Sequence, residues 1–161
     1  MSDSANERLR EGISKKDARI VQEALDAGAE PNAPLFGDAS PLHLAATLGP
    51  AAVVGCLIKA GADVHAVDTY KRTPLHYAAI TIAREGPQII DALLSGDASV
   101  NAEDYGGGTP LDTALIARAD AHARPLHAAG GRCTTHETRQ RLRKLLRSIS
   151  EHGTGPGSAP G

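Results

Sequence analysis

The chain reads as a mainly α solenoid of stacked helix-turn-helix units joined by short β-turn or hairpin loops. Three observations predict this. Thr73-Pro74-Leu75-His76-Tyr77-Ala78-Ala79 has a near copy at Ser40-Pro41-Leu42-His43-Leu44-Ala45-Ala46 and a worn one at Thr109-Pro110-Leu111-Asp112-Thr113-Ala114. Pro41 and Pro74 lie 33 residues apart, a period that belongs to stacked repeats. Each copy opens with Ser or Thr as a helix cap, then Pro in the first turn, and the two at 40 and 73 add a small apolar Leu-Ala-Ala face.

The first unit, about 6–34, carries Leu9 and Ile13 on one helix and Ile20, Val21, Ala24 and Leu25 on the next. Gly28 ends it by supplying a left-handed residue. Residues 1–5 are short and polar and are expected to fray. Arg8, Leu9 and Arg10 replace the opening motif, as befits a capping repeat that stacks on one side only. The second unit, about 35–67, is the most regular. Val53, Val54, Leu57 and Ile58 follow helical spacing and predict one buried face, and Gly61 closes the unit. The third, about 68–103, repeats that stripe as Ile89, Ile90, Leu93 and Leu94 at an offset of 36. Its extra residues fall within 81–85, lengthening either the first helix or the loop, and Asp97 takes the terminating position.

The fourth unit, about 104–153, is the difficult one. Strict periodicity would place Pro125 inside a helix, at about 3 kcal/mol, and His122 where Val53 stands. The alternative register aligns Leu145, Leu146 and Ile149 with Val53, Val54 and Leu57, and Gly153 with Gly61. Thr134-Thr135-His136-Glu137 then reads as a capping box. An insertion at about 121–133 is therefore expected between the two helices. Residues 154–161, rich in Gly, Pro and Ser, are expected to form a disordered tail.

With that period and these Ser/Thr-Pro-Leu-His openings, the chain resembles the ankyrin repeat family, as a small protein of about four repeats. The resemblance implies a non-catalytic protein-protein interaction module, adaptor or inhibitor, that binds through its concave face and loop tips. Carried over by position, the tips are 36–39, 69–72 and 105–108, and the exposed first-helix positions include Thr47, Leu48, Ile80 and Thr81. The residues expected to contact a protein partner are Phe36, Leu48, Thr69, Tyr70, Arg72, Ile80, Thr81 and Tyr105. Three of the four aromatics of the chain, Phe36, Tyr70 and Tyr105, fall at those tips. Exposed Tyr and Arg often anchor interfaces, and Arg72 could make a bidentate carboxylate contact. The resemblance makes His43 and His76 structural braces between adjacent loops rather than catalysts. Asp112 in the third copy breaks that pattern.

Composition agrees with this reading. The 161 residues carry a formal charge of −2, which gives no general attraction to polyanions or membranes. Cys56 and Cys133 form no C-x-x-C pair and are read as free thiols of a reducing compartment. No apolar run reaches the length of a membrane span, and residues 1–10 do not read as a signal peptide. A cytoplasmic monomer without cofactor is expected, although export by a signal-independent route would leave no mark.

Two alternatives come from other classes. His122, His127, Cys133 and His136 could serve a small metal-dependent regulator or enzyme, but their spacing fits no zinc motif. The last helix sets Arg139, Arg141, Arg143, Lys144 and Arg147 against Glu137 and Glu151, a net +3 that leaves −5 elsewhere. Weak nucleic-acid binding there would call for a wider patch with aromatics. Tyr105-Gly106-Gly107-Gly108 lacks the Lys-Ser/Thr of a P-loop and fits a loop tip better.

Overall fold

Four residues with positive φ divide the chain into its units: Gly28 (φ 90), Gly61 (φ 87), Asp97 (φ 66) and Gly130 (φ 89). Their spacing is 33, 36 and 33 residues. The computed structural model describes residues 2–34 and 38–152. Among these, the units are helix pairs: α1 (Ser2–Lys15) with α2 (Ala18–Asp26), α3 (Pro41–Leu48) with α4 (Ala51–Lys59), α5 (Pro74–Ile80) with α6 (Gly86–Ser95), and α7 (Pro110–Ile116) with α8 (Asp120–Ala128). A final α9 (His136–His152) follows.

First helices stack in one layer, α1 on α3, α3 on α5, α5 on α7 and α7 on α9. Second helices stack in the other, α2 on α4, α4 on α6 and α6 on α8. Equivalent side chains therefore form ladders through the core. Ala24, Leu57, Leu93 and Leu126 make one, and Val21, Val54, Ile90 and Ala123 another, all fully buried. With small or aliphatic residues at these rungs, neighbouring helices approach closely.

The fourth unit corrects the sequence-based expectation. No insertion interrupts it: α8 runs through 120–128 with Pro125 inside the helix. The helix loses the N–H that Pro lacks. Burial of Leu126 offsets that loss, a side chain worth about 1.5–3 kcal/mol. His122 is accommodated in the valine position because Nδ1 faces the Ala79 carbonyl oxygen at 3.2 Å and the ring lies against Gly86. A Cβ at position 86 would overlap His122 Nε2. Gly86→Ala is accordingly expected to cost about 1–3 kcal/mol, an overpacking penalty. Adding His122→Ala should recover part of it, as read by urea denaturation; additive losses would mean the two positions do not meet.

Leu145, Leu146 and Ile149 thus belong not to a second helix but to α9, the first helix of a fifth unit. Residues 2–5 also differ from the frayed start expected for 1–5. The helix begins at Ser2, Asp3 lies in its positive first turn, and Ala5 is buried in the core. In the third unit the extra residues lengthen the inter-helix loop, since α5 ends at Ile80 and α6 begins at Gly86. The Gly/Pro/Ser tail at 154–161 lies outside the described residues.

Candidate partner-binding site

The loop tips are held by repeated local chemistry. Asp68 Oδ1 accepts from the backbone N–H of Tyr70 (2.8 Å) and Arg72 (2.8 Å). One unit later, Asp104 Oδ1 accepts from Gly106 (2.8 Å) and Gly108 (2.9 Å). These are Asx turns, in which a short carboxylate satisfies the backbone of its own bend. Backbone pairs Asp68 N–H to Arg72 O and Asp104 N–H to Gly108 O, each 3.0 Å, close the two loops into hairpins. Tyr105 N–H then donates to Tyr70 O at 3.0 Å and joins one tip to the next.

Beneath the tips lie the motif histidines. Ser40 N–H donates to His43 Nδ1 at 3.2 Å, so the ring proton is on Nε2, which donates to Arg72 O at 2.9 Å. His76 repeats this, accepting from Thr73 N–H at 3.1 Å and donating to Gly108 O at 3.1 Å. Each histidine thus braces the loop that follows its own repeat. Burial lowers the pKa of both below the usual 6.5, and the hydrogen bond to the next loop only partly opposes it. They are neutral struts at physiological pH.

Asp112 stands in the third such position and works with inverted polarity. A carboxylate cannot donate, and here it accepts, from Thr109 N–H (3.1 Å), Thr134 N–H (3.1 Å) and the Thr134 (2.8 Å) and Thr138 hydroxyls. The interruption expected of the C-terminal network is therefore a change of donor.

The rings stand on this braced row. Tyr70 is 61% and Tyr105 69% exposed. The Arg72 guanidinium stacks over Tyr70 at 4.7 Å and over Tyr77 at 5.2 Å, and Lys71 Nζ lies 5.1 Å from the Tyr105 centroid. Tyr70, Arg72, Asp104, Tyr105 and Gly106 line an open cleft of about 380 Å³. Arg72 is not the free guanidinium the sequence suggested. Its Nε donates to Asp68 Oδ2 at 3.1 Å, and the same carboxylate receives the Tyr77 hydroxyl at 2.7 Å. Burial opposes ionisation of Asp68, but the Arg72 backbone N–H, the Tyr77 hydroxyl and the Tyr70 backbone N–H hold its pKa below 3.8, so the pair stays charged. Arg72 thereby fixes the Tyr70 ring.

The other expected contacts divide. Thr69 and Ile80 are exposed, and Leu48 is half-buried against the core. Thr81 is a correction: it is 5% exposed, its hydroxyl donating to Thr47 O at 2.6 Å and accepting from Ala83 N–H at 3.1 Å. It ties two units together and offers nothing to a partner. Phe36 lies outside the described residues. Lys71, Asp68 and Tyr77 were not foreseen, although the Asp68-to-Arg72 spacing and its echo at Asp104 mark an Asx turn in the sequence.

The His/Cys alternative does not assemble. Among the described residues no three His, Cys, Asp or Glu side chains come together as metal ligands. His122 is committed to the core, while His136 sits on α9 beside Gln140 at 2.8 Å. Cys56 and Cys133 are both free and half-buried, and burial, then the Asp112 charge, raises the Cys133 thiol pKa. No aromatic residue accompanies the arginines of α9. No helix among the described residues is long and apolar enough to cross a membrane.

Stacked helix pairs presenting a row of braced tips define a helical-repeat scaffold. A family model described as "Ankyrin repeats (3 copies)" matches residues 11–104 and 42–135. The chain belongs to the ankyrin repeat family, whose repeats mediate protein-protein interaction. It is similar to the potassium channel KOR1 of Oryza sativa subsp. japonica, 33% identical over 97 residues, 60% of this chain and 11% of that protein. Human Rabankyrin-5 is 42% identical over 77 residues, 47% of this chain and 6% of that protein. Phosphocholine transferase AnkX of Legionella pneumophila subsp. pneumophila is 30% identical over 112 residues, 68% of this chain and 12% of that protein. The chain therefore spans 12% or less of the length of these three curated relatives.

Proposed function

We propose that the chain is a non-catalytic adaptor or inhibitor, cytoplasmic and monomeric on its own, that grips one protein partner through the tips of its third and fourth units. The observation that carries this reading is the pair of exposed rings, Tyr70 and Tyr105, each with a cation near its ring and joined through the backbone. Rigid aromatic anchors beside an open cleft lose little side-chain entropy on binding, which is why such residues dominate interface energies. Catalysis would need a nucleophile or an acid-base pair in a cleft, and the motif histidines are instead buried and spent on backbone carbonyls.

Tyr70→Ala with Tyr105→Ala should reduce the amount of partner retained in quantitative co-purification by about tenfold or more, the effect of losing hot-spot rings. The melting temperature should barely move, because exposed substitutions stay within about 0.5 kcal/mol and the Tyr105-to-Tyr70 bond is backbone. Undiminished retention would remove the tips from the interface.

A further inference from the structure

At the opposite end of the first helices from the tyrosines, the α7–α8 turn and α9 enclose a cleft of about 300 Å³ lined by Arg118, Asp120, Arg141, Lys144, Leu145 and Ser148. Three cations from two separate elements converge there against one carboxylate, a local excess of +2. The Arg141 charge is poorly compensated. Among the described residues its ion-pair partner is Asp120, at a loose 3.7 Å, and its Nε is buried with no hydrogen-bond partner there. Leu145 gives the cleft an apolar wall, and the Ser148 hydroxyl donates to Leu145 O at 2.7 Å.

Arg118 reaches the cleft from the α7–α8 turn. It has φ 59, as does Lys16 in the equivalent turn of the first unit, while the second unit holds Gly49 there. A left-handed conformation costs a residue with a Cβ roughly 1–2 kcal/mol, so glycine is the better residue for this backbone.

We propose that this cleft binds a phosphate monoester dianion, held between Arg118, Arg141 and Lys144. A dianion matches the +2 excess, and guanidinium groups present paired N–H donors to phosphate oxygens. Asp120 acts as a weak internal competitor that keeps Arg141 turned toward the cleft in the free protein. The site is separate from the tyrosine tips and stands whether or not they bind a protein. Its dianion comes either from a free phosphate compound or from a phosphorylated side chain of a partner.

The test is a titration of the full chain, followed by amide NMR shifts, with inorganic phosphate and with a capped Gly-phosphoserine-Gly peptide. Saturable shifts are expected at residues 118–120 and 141–148. Tighter binding of the peptide identifies a phosphorylated protein as the source; equal or weaker binding identifies a free phosphate. Arg118→Gly and Lys144→Gln should each weaken binding about tenfold, as for loss of one charge-assisted contact. Arg118→Gly should leave the melting temperature unchanged or raised, which separates binding from folding. Asp120→Asn should tighten binding several-fold by removing the competing carboxylate. Absence of saturation with both probes overturns the proposal. So does a single-stranded oligonucleotide that shifts the whole basic face of α9 and is not displaced by phosphate, since that marks a nucleic-acid surface.

Discussion

Leu93→Ala is expected to lower the free energy of unfolding by about 2–5 kcal/mol, the range for truncating a buried leucine. Leu93 is fully buried and is the third rung of the ladder that runs Ala24, Leu57, Leu93, Leu126. The α6 helix that carries it packs on α4 to one side and α8 to the other. Leucine stands on both flanking rungs, so neither neighbour can fill the space by rotating a longer side chain into it. In a stack whose stability is a sum of nearest-neighbour contacts, one truncation there weakens two interfaces. Leu146→Ala makes the internal comparison. It is 40% exposed on α9, and its truncation should cost less than about 1 kcal/mol. Urea denaturation of the two variants decides the matter. A loss at Leu146 as large as that at Leu93 would mean that α9, not α8, carries the second-helix core of the fourth unit.

That comparison bears on what could be read from the chain. Where the physics is local, reading succeeded. Ser40, Thr73 and Thr109 precede Pro41, Pro74 and Pro110 at the helix starts, and Gly28 and Gly61 end units because a left-handed residue is needed there. Where a penalty is relieved from afar, reading failed. Pro125 and His122 both argued against a helix at 120–128, and nothing adjacent to them in sequence answers the objection. The answer is Gly86, 36 residues before His122, whose missing side chain makes room for the imidazole. Thr81 failed for the same reason. Its position along the first helix promised exposure, but its hydroxyl reaches back to Thr47 O in the preceding unit. Tyr70 and Tyr105 were legible because their offset from the motif places them at the tips. That Arg72 is engaged with Asp68 and Tyr77 depends on how the hairpin folds over the first helix, which spacing does not encode.

Asp112→Ala is expected to release α9 from the stack, at a cost of about 3 kcal/mol or more for a buried charged acceptor and the donors it leaves unsatisfied. The carboxylate is 1% exposed and is held by N–H and hydroxyl donors from Thr109, Thr134 and Thr138. Two of those residues belong to the segment that leads into and opens α9, so the anion ties the last helix to the fourth unit. The same feature predicts a pH dependence with a definite sign. Burial works against ionisation, but the Thr138, Thr109 and Thr134 hydrogen bonds outweigh it and hold the Asp112 pKa below 3.8. The unfolded chain therefore takes up the proton first, and stability from this group rises with pH. Its contribution is complete above pH 3.8 and is lost as the pH falls through the lower folded-state value. Because α7 is the first helix on which α9 stacks, the loss should be local. Amide exchange within α9 should accelerate about a hundredfold in Asp112→Ala, the equivalent of 3 kcal/mol. Exchange in α4 and α6 should stay near that of the native protein. Equal acceleration throughout would show that α9 unfolds with the core, and the carboxylate would then be a strut of the whole stack rather than a latch on its last helix.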